Sequence, residues 1–171
     1  MSVLRYFSVA AFITGRQPFR TGIVGVVRPD CPGGIPDDEI TIAEALRARG
    51  YATQAIGKWH LGDDAWYPQH QGFEQSFGGC DYGQPPSYFD PYRNAGLPQG
   101  IPGLPPRREG EYLTDREADE AAKFIRENRE RPCFLFLAHY AVHTPLQAKA
   151  HLIAKYEGRP KTEQKNATYA A

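Results

Sequence analysis

Cys133-Phe134-Leu135-Phe136-Leu137-Ala138, entered through Arg131-Pro132 and left through His139-Tyr140, is the stretch that decides the fold. Six apolar residues in a row, with no polar alternation, predict a strand covered on both faces, the pattern of a parallel sheet. Upstream, Thr114-Asp115-Arg116-Glu117 has the form of a capping box, in which the Thr side chain and the Glu three residues on satisfy each other's free backbone donors. Ala118, Ala121, Ala122 and Ile125 then recur at helical spacing, and Arg131-Pro132 ends the run. A helix feeding a buried strand is the repeating unit of an α/β fold.

The same unit stands earlier in the chain. Thr41-Ile42-Ala43-Glu44 is another capping box, Ile42, Ala45 and Leu46 share a helical face, and Gly50 provides the left-handed stop. Tyr51 to Gly57 reads as a strand, and Lys58 to Gly62 as the polar loop at its carboxyl end. The expected fold is therefore α/β, a mostly parallel sheet sandwiched between helices. Residues 81–110 hold seven prolines and five glycines, which predicts a long irregular loop within one domain spanning 1–171. Glu163 to Ala171 reads as the opening of a helix with more chain expected beyond it.

Composition narrows the function. Twenty Lys+Arg balance 20 Asp+Glu, which leaves no unbalanced positive surface for nucleic acid or an anionic membrane. An anion must be held by a local group. The three cysteines, Cys31, Cys80 and Cys133, form no CxxC pair and no disulfide framework. The longest apolar runs fall far short of the roughly 18 residues that a membrane helix needs.

Gly57-Lys58-Trp59-His60-Leu61-Gly62 sets a cation and an imidazole two residues apart on a loop flanked by glycines. In open α/β sheets ligands bind beyond the carboxyl ends of the strands, so both would face the ligand crevice. His143 follows the second strand and would approach from its neighbour. One lysine and two histidines suit a small oxyanion such as sulfate or phosphate. Trp59 reads as a packed anchor. His70, His139 and His151 read as structural, and Tyr82, Tyr88 and Tyr92 as packing within the proline-rich loop.

These residues also carry a family resemblance. Gly50 to Gly62, Gly-Tyr-Ala-Thr-Gln-Ala-Ile-Gly-Lys-Trp-His-Leu-Gly, closely resembles the second signature of the sulfatases. Phe12-Ile13-Thr14-Gly15-Arg16, with Pro18 to Gly22, resembles the segment after the sulfatase nucleophile motif. Tyr140 to Gln147 resembles the family's His-x-Pro segment. The resemblance implies a sulfuric ester hydrolase on an alkaline-phosphatase-like sandwich, acting on a small-molecule or carbohydrate sulfate ester, with periplasmic or secreted placement. It implies that Lys58 binds sulfate, that His60 takes a proton from the sulfated nucleophile, and that His143 helps protonate the leaving group.

The resemblance further implies a formylglycine made from the cysteine of Cys-x-Pro-Ser-Arg, and a Ca2+ ion held by Asp and Asn side chains. Here the sequence departs from the pattern. Counting back from Thr14-Gly15-Arg16, the nucleophile position falls at Arg5, the motif proline at Phe7 and its arginine at Val9, with only Ser8 in agreement. None of the three cysteines has the modified cysteine's context, and the calcium ligands are expected outside this stretch. Two further readings therefore stand beside the hydrolase: an inactive sulfatase-fold protein keeping an anion pocket, and a phosphate or phosphonate ester hydrolase, which the Gly-Lys-Trp-His-Leu-Gly loop disfavours.

Overall fold

The computed structural model describes residues 4–23, 33–105, 108–160 and 163–171, with side chains from Ser8 onward. Cys31 and the side chain of Arg5 lie outside the described residues. In chain order the elements are α1 (Leu4–Thr14), α2 (Ile42–Arg47), β1 (Ala52–Gly57), β2 (Gln75–Phe77), α3 (Leu113–Glu127), β3 (Cys133–Ala138), α4 (Ala150–Glu157) and α5 (Ala167–Ala170).

Among the described residues the strands form one parallel sheet in the order β2-β1-β3. Ala52 pairs with Cys133 and Gly57 with Ala138, while Gln54 to Ile56 pair with Gln75 to Phe77. Both carboxyl ends of β1 and β3 therefore fall at one edge. Side chains alternate along β1, so Ala55 packs with Ala10, Ile13, Ala43, Trp59 and Phe73 on one face. Ile56 packs on the other with Leu113, Ala121, Tyr88, Tyr92 and Tyr140. The sheet is thus layered between α1 and α2 on one side and α3 with the proline-rich loop on the other, an α/β sandwich.

Three local expectations need correction. The apolar run of β3 reaches both faces, through Phe134 and Phe136 on one and Leu135 on the other. It is nevertheless only half-buried, and Leu137 is 38% exposed. β1, with Gln54 and Thr53 inside it, is the strand buried at every position. The reason is topological: β1 has a hydrogen-bonded neighbour on each side, and β3 has one among the described residues.

The Thr114 box does not form. Leu113 N–H donates to Tyr88 O at 2.7 Å, and Tyr112 bridges antiparallel to Phe89, which holds the chain extended up to Tyr112. The helix then starts at Leu113, placing Thr114 inside its first turn and freeing Glu117 to turn inward. The buried face is Leu113, Arg116, Glu117, Ala121 and Phe124, while Ala118 and Ile125 lie exposed.

The Thr41 box does form. Thr41 Oγ1 accepts from Glu44 N–H at 3.1 Å and Glu44 Oε2 accepts from Thr41 N–H at 2.7 Å. Thr41 Oγ1 also donates to Gln71 O at 2.9 Å, and that bond fixes the rotation of the short helix. Ala43 becomes its buried residue, rather than the expected Ile42, Ala45 and Leu46. Replacing Thr41 by Ala should lower stability by about 1–2 kcal/mol, since it removes a cap and strands a buried carbonyl. Urea unfolding would show this as a lower midpoint largely restored by Thr41→Ser; an unchanged midpoint would mean that the cap contributes nothing.

Candidate active site

The edge formed by the carboxyl ends of β1 and β3 is built around glycine. Gly57 has φ +86°, and a Cβ there would collide with Ala138 O and lie 3.0 Å from Glu117 Oε1. Only a bare backbone lets the two strand exits approach this closely. Directly after it, Lys58 N–H donates to Ala138 O at 2.7 Å, so the lysine leaves the sheet locked to the neighbouring strand.

Trp59 turns inward as an anchor. It is 1% exposed, stacks edge-on against Phe73 at 5.9 Å and Phe136 at 6.2 Å, and donates Nε1–H to Trp66 O at 2.8 Å. With Trp59 fixed, the half-buried Lys58 and the buried His60 are carried on the same rigid turn. His60 takes a left-handed backbone at φ +59°, unusual for a residue with a Cβ, and its N–H donates to Cys80 O at 2.9 Å. Holding a non-glycine residue there costs on the order of 1–3 kcal/mol, a strain often found at functional positions.

His60 lines an open cavity of about 640 Å³ with Tyr67, Asp81, Tyr82, Gln84, Gln99 and others. Its walls are braced: Tyr67 OH donates to Asp81 Oδ1 at 2.8 Å and Gln99 Nε2 donates to Tyr82 OH at 2.7 Å. Burial and then the Asp81 hydrogen bond push the Tyr67 hydroxyl well above its ordinary range, so it stays a protonated donor. Tyr88 and Tyr92 are buried packing, whereas Tyr82 faces this cavity.

His143 lies past β3. Its N–H donates to Tyr88 OH at 3.0 Å, and Tyr88 OH in turn donates to Tyr140 O at 2.7 Å, with His143 O at 3.0 Å. The ring Nδ1 is 3.2 Å from Thr144 Oγ1, which donates to Gln84 Oε1 at 2.9 Å. Gln84 lines the His60 cavity, so a short chain of contacts links the two histidine loops. His143 itself also borders a separate, smaller cavity of about 120 Å³ with Tyr112, Leu146 and Tyr169. Lys58, His60 and His143 thus lie at the ends of two adjacent parallel strands. Of the histidines read as structural, His70 and His151 are exposed and His139 is paired with Glu117.

Gly83 packs directly on the His60 ring. A Cβ at Gly83 would lie 2.5 Å from His60 Cε1 and 2.7 Å from its Nδ1, with no positive φ to strain the new residue. Gly83→Ala is therefore expected to displace the imidazole while leaving the thermal midpoint almost unchanged. Imidazole NMR resonances check this: a His60 signal identical to wild type would contradict the packing.

Among the described residues, no group of three or more His, Cys, Asp or Glu is placed to hold a metal ion. The calcium expected from the resemblance thus finds no cage among the described residues. Cys80 is buried, and burial pushes its thiol up to about 11. Cys133 sits within β3. No described helix is long and apolar enough to cross a membrane.

A parallel sheet between helices, with a lysine and two histidines beyond its strand ends, makes this an α/β protein with its candidate site at the carboxyl edge of the sheet, and its structural neighbours have the alkaline-phosphatase-like fold. The chain belongs to the sulfatase family, whose model, described as Sulfatase, matches residues 7–171. It is similar to arylsulfatase A of Homo sapiens, 34% identical over 181 residues that cover 89% of this chain and 34% of that protein. It is equally similar to N-acetylgalactosamine-6-sulfatase of Sus scrofa, 34% identical over 182 residues, covering 89% of this chain and 33% of that protein. Among solved structures, Ps i-CgsB in complex with k-i-k-neocarrahexaose superposes with a TM-score of 0.73 at 31% identity, over 96% of this chain and 40% of that one. The chain spans about a third of the length of these curated relatives.

Proposed function

We propose that this chain supplies the sulfate-binding lysine and the two proton-transfer histidines of a sulfate ester hydrolase. The observation that carries the reading is the common edge: Lys58 and His60 leave β1, His143 leaves β3, and the Gly83-Gln84 and Thr144 contacts join the histidine loops. Lys58 offers a compact positive charge to sulfate oxygens, favouring the charge that gathers on them in the transition state. His60, buried and held by its backbone, accepts a proton from the sulfated nucleophile. His143 gives one to the departing alcohol oxygen, so each histidine serves one direction of proton transfer.

The cavity beside His60 would hold the alcohol part of the ester. A relative solved with k-i-k-neocarrahexaose supports a carbohydrate sulfate, and the similarity to arylsulfatase A supports a small aryl one beside it. A periplasmic or secreted setting, where such esters are met, belongs to the same proposal. One observation favours a second reading, an anion-binding sulfatase-fold protein without turnover: Arg5 occupies the counted nucleophile position. With Arg5 at the counted nucleophile position, both readings expect this chain to bind sulfate without turnover, so titration with inorganic sulfate tests the site that they share: saturable binding that weakens in Lys58→Ala supports it, and no binding sinks both. Turnover of an aryl sulfate with calcium present would decide for the hydrolase.

A further inference from the structure

We propose that Glu117 is a positioning residue that, through His139 and the Tyr140 amide, ties the exit of β3, which carries His143, to the exit of β1, which carries Lys58. The inference rests on the reading of Lys58 and His143 as parts of one oxyanion site. Glu117 is 1% exposed, on the inner face of α3. Its Oε2 lies 2.6 Å from His139 Nδ1, one residue past the end of β3. The Tyr140 N–H also faces the carboxylate. On the other side, Oε1 stands where a side chain on Gly57 would have to go, 3.0 Å from the position of a Cβ. One carboxylate thus bonds to the β3 exit through Oε2, while Oε1, without a hydrogen-bond partner, packs against the bare backbone of the β1 exit.

The contacts continue outward on both sides. Ala138, the residue before His139, accepts the Lys58 N–H at 2.7 Å. From Tyr140 it reaches His143 through Tyr88 OH. A carboxylate so deeply buried needs a cation, and the half-exposed His139 is placed to provide it as imidazolium. The groups facing Glu117 are His139 and Tyr140 from the β3 exit and Tyr88 from the loop; both tyrosines are pushed far up by burial and stay neutral. Gly57 brings no titratable group. His139 is therefore the partner whose protonation the carboxylate feels.

The sign follows. The Glu117 hydrogen bond raises His139 above its ordinary 6.5, and burial raises Glu117 above its ordinary 4.5. Both shifts mean that the folded chain binds more protons than the unfolded one. The stabilisation is full below the ordinary values and is lost as pH rises through the raised value of His139. Above it the buried carboxylate loses its cation, and the strand exits lose their tie.

The experiment is an NMR pH titration of the full chain, following the imidazole of His139 and the backbone amides of Lys58 and His143, in wild type and in Glu117→Gln. His139 should titrate above 6.5 in wild type, with Lys58 and His143 reporting the same inflection. In Glu117→Gln the His139 midpoint should fall to 6.5 or below, and that inflection should vanish from the other two. An unmoved His139 midpoint, or Lys58 and His143 signals that ignore it, overturns the proposal. A merely structural Glu117 would lower thermal stability without moving these inflections. If Glu117→Gln does not fold, the wild-type titration decides alone, by whether Lys58 and His143 follow His139. Inorganic sulfate added to the same sample keeps the two readings apart: failure to bind sulfate removes the hydrolase reading, and leaves the linkage between the strand exits as measured.

Discussion

Replacing Lys58 by Ala should weaken binding of inorganic sulfate by roughly 10- to 100-fold, because a hydrogen bond to a charged group contributes about 1.5–3 kcal/mol and each 1.4 kcal/mol is a factor of ten. The balanced charge of the chain gives no surface field to compensate. Lys58 leaves β1 locked by its backbone to Ala138, so removing its side chain changes charge at the site without loosening the sheet. Lys58→Arg should recover part of the affinity, since it keeps the charge but delivers it on a planar fork with different reach. Isothermal titration at low ionic strength is the check. Equal affinities for wild type and Lys58→Ala would remove the lysine from the site.

The second large effect is on turnover. The chain is expected to leave an aryl sulfate unhydrolysed with calcium present, even while binding sulfate. By the family resemblance the attacking oxygen belongs at the position that here counts to Arg5, and a guanidinium stays protonated and cannot attack. Loss of a nucleophile costs on the order of 10⁶ in kcat in a well-studied hydrolase, against which two histidines that move protons recover little. Cys80 cannot substitute, being buried with its thiol pushed up to about 11. Turnover that disappears in Lys58→Ala would show that the counted position is wrong, and that another group attacks sulfur.

The parts of the molecule legible in the sequence were those set by local pattern. The Thr41 cap, the stop at Gly50, the strand ending at Gly57 and the anchor at Trp59 are each fixed by residues within a few positions. What the sequence misplaced was set by contacts distant along the chain. An apolar run such as Cys133 to Ala138 states that a strand wants covering, but not which neighbours it receives. The start of α3 is decided by Tyr88 O, 25 positions away, which takes the Leu113 N–H and turns a capping box into an ordinary first turn.

That displacement also hid a part of the site. Read as a cap partner, Glu117 has no function beyond the helix, and His139 without its carboxylate is an ordinary structural histidine. Only the packing of α3 under the two strand exits brings them together. The cavity beside His60 was hidden in the same way, because its walls come from Tyr67, Asp81, Gln84 and Gln99, scattered through two irregular segments with no periodicity to mark them. Tyr82 carried a faint signal as an aromatic in a proline-rich loop.

If Lys58, His60 and His143 address one oxyanion, a crystal structure of the chain grown or soaked with sulfate will hold a single sulfate at the carboxyl edge of β1 and β3, with Lys58 Nζ and a ring nitrogen of each histidine at about 3 Å from its oxygens. A sulfate bound elsewhere with this edge empty, or Lys58 and His143 holding two separate ions, would contradict it.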